Sequence, residues 1–187
     1  PLLHDAIIGG VDYDARRLPE GWASPGFDDS SWKQARVQPE PGGALVPALS
    51  PSLSAFERFE PRSIEEVEPG VFVYDFGQNA SATPELRVSG PAGKTIRLRY
   101  AEQRHGSTGT ANNGKGRIDP AGIGQPAWID YTLRGGGTEE IWMSRTFYTG
   151  YQYLELTGGV PEGHPNPEGL PVVHGLRSVH VRADLEP

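Results

Sequence analysis

The side chains best suited to chemistry in this sequence are oxygen donors gathered in short clusters. These are Asp12-Tyr13-Asp14, Asp28-Asp29-Ser30-Ser31, Asp75-Phe76-Gly77-Gln78-Asn79, and the run from Asn112-Asn113 to Asp119. Carboxylates, amide oxygens and backbone carbonyls are the hard ligands of which calcium takes about six to eight. The same groups hydrogen-bond sugar hydroxyls. Each cluster also has a plainer reading. Asp28–Ser31 is a turn whose side chains accept from backbone amides. Asp75–Asn79 is a strand end with a glycine bend, or the rim of a ligand site. Asn112-Asn113-Gly114 is an Asn-Gly turn, or part of a ligand loop.

Other chemistries lack their residues. With no Cys, thiol catalysis, disulfides and thiolate metal sites are excluded. No Gly-x-Ser-x-Gly elbow and no His-Glu-x-x-His pair is present. The Gly90-Pro91-Ala92-Gly93-Lys94 run lies between two strands and lacks the spacing of a phosphate loop. A net charge of −7 provides no basic surface for nucleic acid. No apolar run is long enough to cross a bilayer, so neither nucleic acid nor membrane is an expected partner. The 24 acids neither identify nor exclude a glycosidase-type carboxylate pair. Trp128, Tyr131, Trp142, Tyr148 and Tyr151 are either core or platforms for the apolar face of a sugar.

The elements that must position these groups are strands. The 187 residues include 25 Gly and 18 Pro, about twice their usual share, which disfavours helices. Val71–Phe76, Glu85–Val88, Lys94–Tyr100, Trp128–Leu133 and Tyr151–Leu156 are strand-like, most of them alternating apolar and polar residues. Repeated strands at short spacing predict an all-β sandwich. Residues 1–37 read as small strands and turns. The proline-rich stretch 38–70 reads as an ordered crossover with an edge strand near Ala55–Phe59. Residues 103–127 form a polar loop longer than connections usually run. We expect 1–158 to be one module and 159–187 to be a linker with a terminal strand, Val172–Val181, that pairs back onto it. The lack of an initiating Met and the ending Asp184-Leu185-Glu186-Pro187 suggest a module of a longer protein.

Six motifs in order carry a resemblance. Gly10-Val11-Asp12-Tyr13-Asp14-Ala15-Arg16 comes first, then Gly21-Trp22 with Pro25-Gly26-Phe27-Asp28-Asp29-Ser30-Ser31-Trp32. Tyr74-Asp75-Phe76-Gly77-Gln78-Asn79 follows, then Gly90-Pro91-Ala92-Gly93 with Leu98-Arg99-Tyr100-Ala101-Glu102. Tyr131-Thr132-Leu133 and Phe147-Tyr148-Thr149-Gly150-Tyr151-Gln152-Tyr153 complete the series. Over about residues 8–158 it resembles the non-catalytic β-sandwich of bacterial α-L-rhamnosidases of glycoside hydrolase family 78, a region similar to carbohydrate-binding module family 67.

The resemblance implies a jelly-roll β-sandwich of two antiparallel sheets with long irregular loops. It implies a non-catalytic module that binds a terminal L-rhamnose, or a related deoxy-sugar, of a glycan with help from Ca²⁺. Its other partners would be the remaining domains of the parent enzyme, whose catalytic acids belong to a helical barrel that this chain does not form. On this reading Asp75, Gln78, Asn79, Glu102, Asn112, Asn113 and Trp128 contact sugar, and Asp75, Asn79, Asn112, Asp119 and Pro120 surround the cation. The alternative is an accessory domain that braces or lines a catalytic barrel without binding sugar itself. Two departures stand out: Ser81-Ala82-Thr83-Pro84 occupies a place where the resemblance puts an aromatic, and Thr149 and Gln152 replace His and Arg.

Overall fold

The computed structural model describes residues 1–6, 9–40, 42–105, 116–123 and 127–185. Among the described residues thirteen strands carry the fold. They are β1 (Leu2–Asp5), β2 (Gly10–Asp14), β3 (Leu53–Phe59), β4 (Ser63–Glu68), β5 (Val71–Ser89), β6 (Thr95–Ala101), β7 (Gln103–Arg104), β8 (Ile118–Asp119), β9 (Trp128–Thr132), β10 (Glu140–Met143), β11 (Thr149–Thr157), β12 (Val160–Pro161) and β13 (Val172–Ala183). Among the described residues the only helical pieces are 3₁₀ turns, Ala15–Arg17 and Pro120–Ile123.

The 19-residue strand β5 organises both layers. Its first half lies between β4 and β11, and from β11 the layer continues through β6, β9 and β2 to β1. Its second half lies between β13 and β10, with β3 beyond β13. Pairing is antiparallel throughout except for β2 with β9 and β12 with β13. The sequence suggested two separate strands in this stretch, because Gly77 and Pro84 look like breakers. Both are accommodated. Gly77 adopts φ +74°, which suits a residue without Cβ. Pro84, which has no N–H to donate, falls where β11 pairing has ended at Ala82 and β10 pairing has yet to begin at Glu85.

Alternation then sorts the side chains. Phe72, Tyr74, Leu86 and Val88 of β5 meet Ile96, Leu98 and Tyr100 of β6, Ile129 and Tyr131 of β9, and Leu154 and Leu156 of β11 in one buried core. The other face of the first layer carries a smaller apolar patch of Val73, Ala101 and Ile118. Ile118 belongs to the β7–β8 hairpin, which packs near β11 and β6. The expected edge strand is β3, which pairs with β13 alone. β4, with three glutamates, was not anticipated, and the small strands expected up to residue 37 reduce to β1 and β2. The described residues of the stretch 18–52 have turns but no strand, and Trp22 and Trp32 lie half exposed on it.

Candidate functional site

The Asp75–Asn79 cluster is a bulge in mid-strand, which corrects its expected place at a strand end. Asp75 pairs with Tyr153 and Ala80 with Tyr151, so Phe76–Asn79 face Gln152 alone on β11. A bulge of this kind bends the strand and re-aims its side chains. Here it turns Asp75 back on its own backbone: the Gly77 N–H donates to Asp75 Oδ1 at 2.6 Å. The Gln152 amide donates to the same oxygen at 3.0 Å and to the Tyr153 hydroxyl at 2.9 Å. The guanidinium end of the Arg62 side chain, from Cδ through Nε to Cζ, lies against Gly77 in the space a Cβ would fill. Burial raises the Tyr153 phenol above its ordinary pKa, and the Asp75 charge adds to the effect. Asp75 Oδ2 has no hydrogen-bond donor among the described residues.

Two residues away on β11, about 7 Å along the strand, lies a second cluster. An ideal Cβ on Gly150 would stand 3.1 Å from Glu102 Oε1 and 3.8 Å from Asn79 Oδ1. The missing side chain thus leaves a notch with an acid and an amide at its lip. Neither Glu102 nor Asn79 has a hydrogen-bond partner among the described residues. Gln78 is exposed beside them. Three of the expected residues, Asp75, Asn79 and Glu102, therefore come together around Gly150 and Gln152. A single pyranose is large enough to touch both clusters.

Of the other expected residues, Trp128 separates from this place, whereas Asp119 stands opposite Gln103, the residue after Glu102. Trp128 starts β9, which is three strands from β5 across β6 and β11, a distance of about 14 Å at ordinary strand spacing. One monosaccharide cannot reach both Trp128 and Asp75, so the sequence-based grouping is corrected here. Trp128 instead donates its indole N–H to Asp12 Oδ1 at 2.8 Å, stacks on His4, and borders a separate cleft of about 340 Å³ with Arg97 and Arg99. Asp119 accepts from the Ala121 N–H at 3.0 Å and lies 3.9 Å from the His105 ring, and Pro120 opens the following 3₁₀ turn. Asn112 and Asn113 lie outside the described residues. Among the described residues no group of three or more His, Asp or Glu side chains is arranged to hold a metal.

Sequence reasoning missed Gly150, Tyr153 and Arg62 as parts of this site, and reached Gln152 only as a departure from a pattern. That departure has a structural meaning: a neutral amide, in place of a guanidinium, faces Asp75.

With this geometry in view, two family models match. The bacterial α-L-rhamnosidase concanavalin-like domain covers residues 65–176, and the α-L-rhamnosidase N-terminal domain covers residues 1–57. This chain belongs to the bacterial α-L-rhamnosidase family. It is 38% identical over 160 residues to an α-L-rhamnosidase of Streptomyces avermitilis, a match covering 84% of this chain and 15% of the relative. A second relative, an α-L-rhamnosidase of Formosa agariphila, is 28% identical, with 84% and 16% covered. Among solved structures, the Streptomyces avermitilis α-L-rhamnosidase complexed with L-rhamnose superposes with a TM-score of 0.80 at 33% identity. That match covers 98% of this chain and 16% of the other. The α-L-rhamnosidase of Dictyoglumus thermophilum gives a TM-score of 0.79 at 28% identity, covering 100% of this chain and 19% of the other. The all-β sandwich is therefore that of a rhamnosidase domain, and the chain spans less than a fifth of the length of these relatives.

Proposed function

We propose that this chain is a non-catalytic, sugar-contacting β-sandwich of an α-L-rhamnosidase, and that it recognises a terminal L-rhamnose at the bulge of β5. The observation that carries this reading is the pair of unpartnered acceptors, Glu102 and Asn79, meeting over the side-chain-free Gly150. Vicinal hydroxyls supply the donors that these two oxygens lack, and Asp75 Oδ2 is a further acceptor nearby. Leaving such groups unpaired against a bound ligand is costly, so the notch favours a hydroxyl-rich ligand over an apolar one. Asp75, Asn79 and Glu102 are also oxygen donors of the type calcium selects, though they are fewer than the six it requires. In this reading Ca²⁺ is held by these side chains, and the balance of its shell comes from sugar hydroxyls and water.

Calorimetric titration of the chain with L-rhamnose, with calcium and then with EDTA, tests the proposal. We expect saturable heat at millimolar sugar that EDTA diminishes and that Gly150→Ala, which places a methyl in the notch, abolishes. No heat in calcium removes the sugar-binding reading. Heat that survives EDTA removes the cation but leaves the notch. A second reading, an accessory domain that braces a catalytic barrel, is favoured by Val37, Leu45 and Leu49, which lie almost fully exposed between β2 and β3. It predicts no heat from either the native chain or Gly150→Ala.

A further inference from the structure

A second, differently built cleft opens at the side of the sandwich, between the edge formed by β1 and β2 and the edge formed by β10. Its volume is about 720 Å³, within the range of small-ligand sites. Tyr13 and Trp142 line one wall with their rings 5.3 Å apart, and the buried Tyr131 backs them, 5.3 Å from Trp142 and stacked on Tyr13 at 5.8 Å. Trp22, 51% exposed, lines the cleft from the turn that follows the first 3₁₀ segment. Ser144 and Arg145 form a polar lip. The Ser144 oxygen, on a residue only 5% exposed, accepts from the backbone N–H groups of Thr146 and Phe147, which leaves its O–H as a donor. Arg145 has no ion pair or hydrogen bond among the described residues.

Indole and phenol faces beside an unpaired cation and a free hydroxyl match the two sides of a pyranose ring. The C–H face packs on the aromatic surface, and the hydroxyls take up Arg145 and Ser144. A purely apolar occupant would bury those two groups without partners, which is unfavourable. We propose that this cleft is a second carbohydrate subsite, which stacks a pyranose against Trp22 and Trp142 and fixes its hydroxyls through Arg145 and Ser144. The inference shares with the proposed function only the class of ligand, and none of its residues belongs to the β5 bulge.

The test uses the four tryptophan indole N–H signals as separate reporters in nitrogen-15 NMR, with methyl α-L-rhamnopyranoside and methyl α-D-glucopyranoside as probes. Saturable shifts of the Trp22 and Trp142 signals, with Trp32 unmoved, are expected for at least one probe. Trp22→Ala, at a half-exposed position, should weaken that response about tenfold, and Arg145→Gln about threefold, in line with the loss of one stacking face and one hydrogen-bonding group. Glu102→Gln should leave it unchanged while diminishing the calorimetric heat assigned to the bulge. Absent or non-saturating shifts overturn the inference. So does a Trp142 response of undiminished affinity in Trp22→Ala, or a response that tracks self-association of the chain in place of sugar concentration.

Discussion

Arg117 grips Glu155 through two hydrogen bonds, 2.9 Å from Nε to Oε2 and 2.6 Å from Nη2 to Oε1. The Glu155 side chain is wholly buried, Arg99 approaches the same Oε1 at 3.3 Å, and Arg117 also reaches Glu68. The pair fastens the lead-in to β8 over the outer patch of the first layer. Removing Arg117 leaves the buried Glu155 charge with only the longer contact to Arg99, and an under-compensated buried charge is costly. Arg117→Ala is therefore expected to lower unfolding stability by about 2–4 kcal/mol, reduced somewhat because Arg117 is 29% exposed. Glu155→Gln, which removes the buried charge but keeps the shape, should cost less. Urea unfolding of both variants gives the comparison, and equal losses would contradict the charge argument.

Gly77 is the conformational pivot of the bulge. A side chain there meets both a positive φ and the guanidinium end of Arg62. Gly77→Ala should cost about 1–2 kcal/mol for the left-handed backbone alone. It should also reduce the rhamnose heat, because the Gly77 N–H holds the Asp75 carboxylate in place. Retained stability together with retained heat would show that the bulge has another stable form.

Acid should weaken the first layer through Asp14. The side-chain hydrogen bond from Arg16 is the main influence on this carboxyl; the Arg16 backbone N–H and the charges of Arg16 and Arg17 add to it, and desolvation opposes them. The result is a folded-state pKa lowered from 3.8 to about 2. Between those values the unfolded chain binds more protons than the folded one. The contribution is thus complete above about pH 4 and lost as pH falls toward 2. Denaturant midpoints across this range should fall more steeply for the native chain than for Asp14→Asn.

Trp128 braces strands at a distance from the bulge. Trp128→Phe removes the bond to Asp12 and should cost about 1 kcal/mol, measured by thermal unfolding, while the rhamnose heat stays unchanged. A lost heat with intact stability would return Trp128 to the sugar site.

The parts of the fold legible in the sequence are those where alternation is unbroken. Ile96, Leu98 and Tyr100 predict β6, and Ile129, Tyr131 and Leu133 predict β9, because each set lines one buried face with every second residue; β11 was also found, although its bulge breaks the alternation between Tyr151 and Leu154. β5 was read as two pieces because the acceptability of Pro84 depends on where neighbouring strands stop, which local sequence does not encode. β4 was missed because it falls inside the proline-rich stretch 38–70, read as a crossover, and its Glu65, Glu66 and Glu68 interrupt any apolar alternation, which an edge strand tolerates. The site was half legible for a similar reason. Asp75, Asn79 and Glu102 are conspicuous as donors, but Gly150 and Gln152 matter only through a bulged pairing to a strand about 70 residues earlier. Trp128 was grouped with them on residue type, and strand order separates it.

A strand that belongs to both layers also sets how the domain comes apart. β5 contributes neighbours to each half of the core, so melting either layer strips the other of its central member. No seam exists along which one sheet can peel away intact. Unfolding should therefore be all-or-none for the strands paired to β5, and a load applied to either end of that strand would be carried straight through the kink at Gly77 into the opposite sheet.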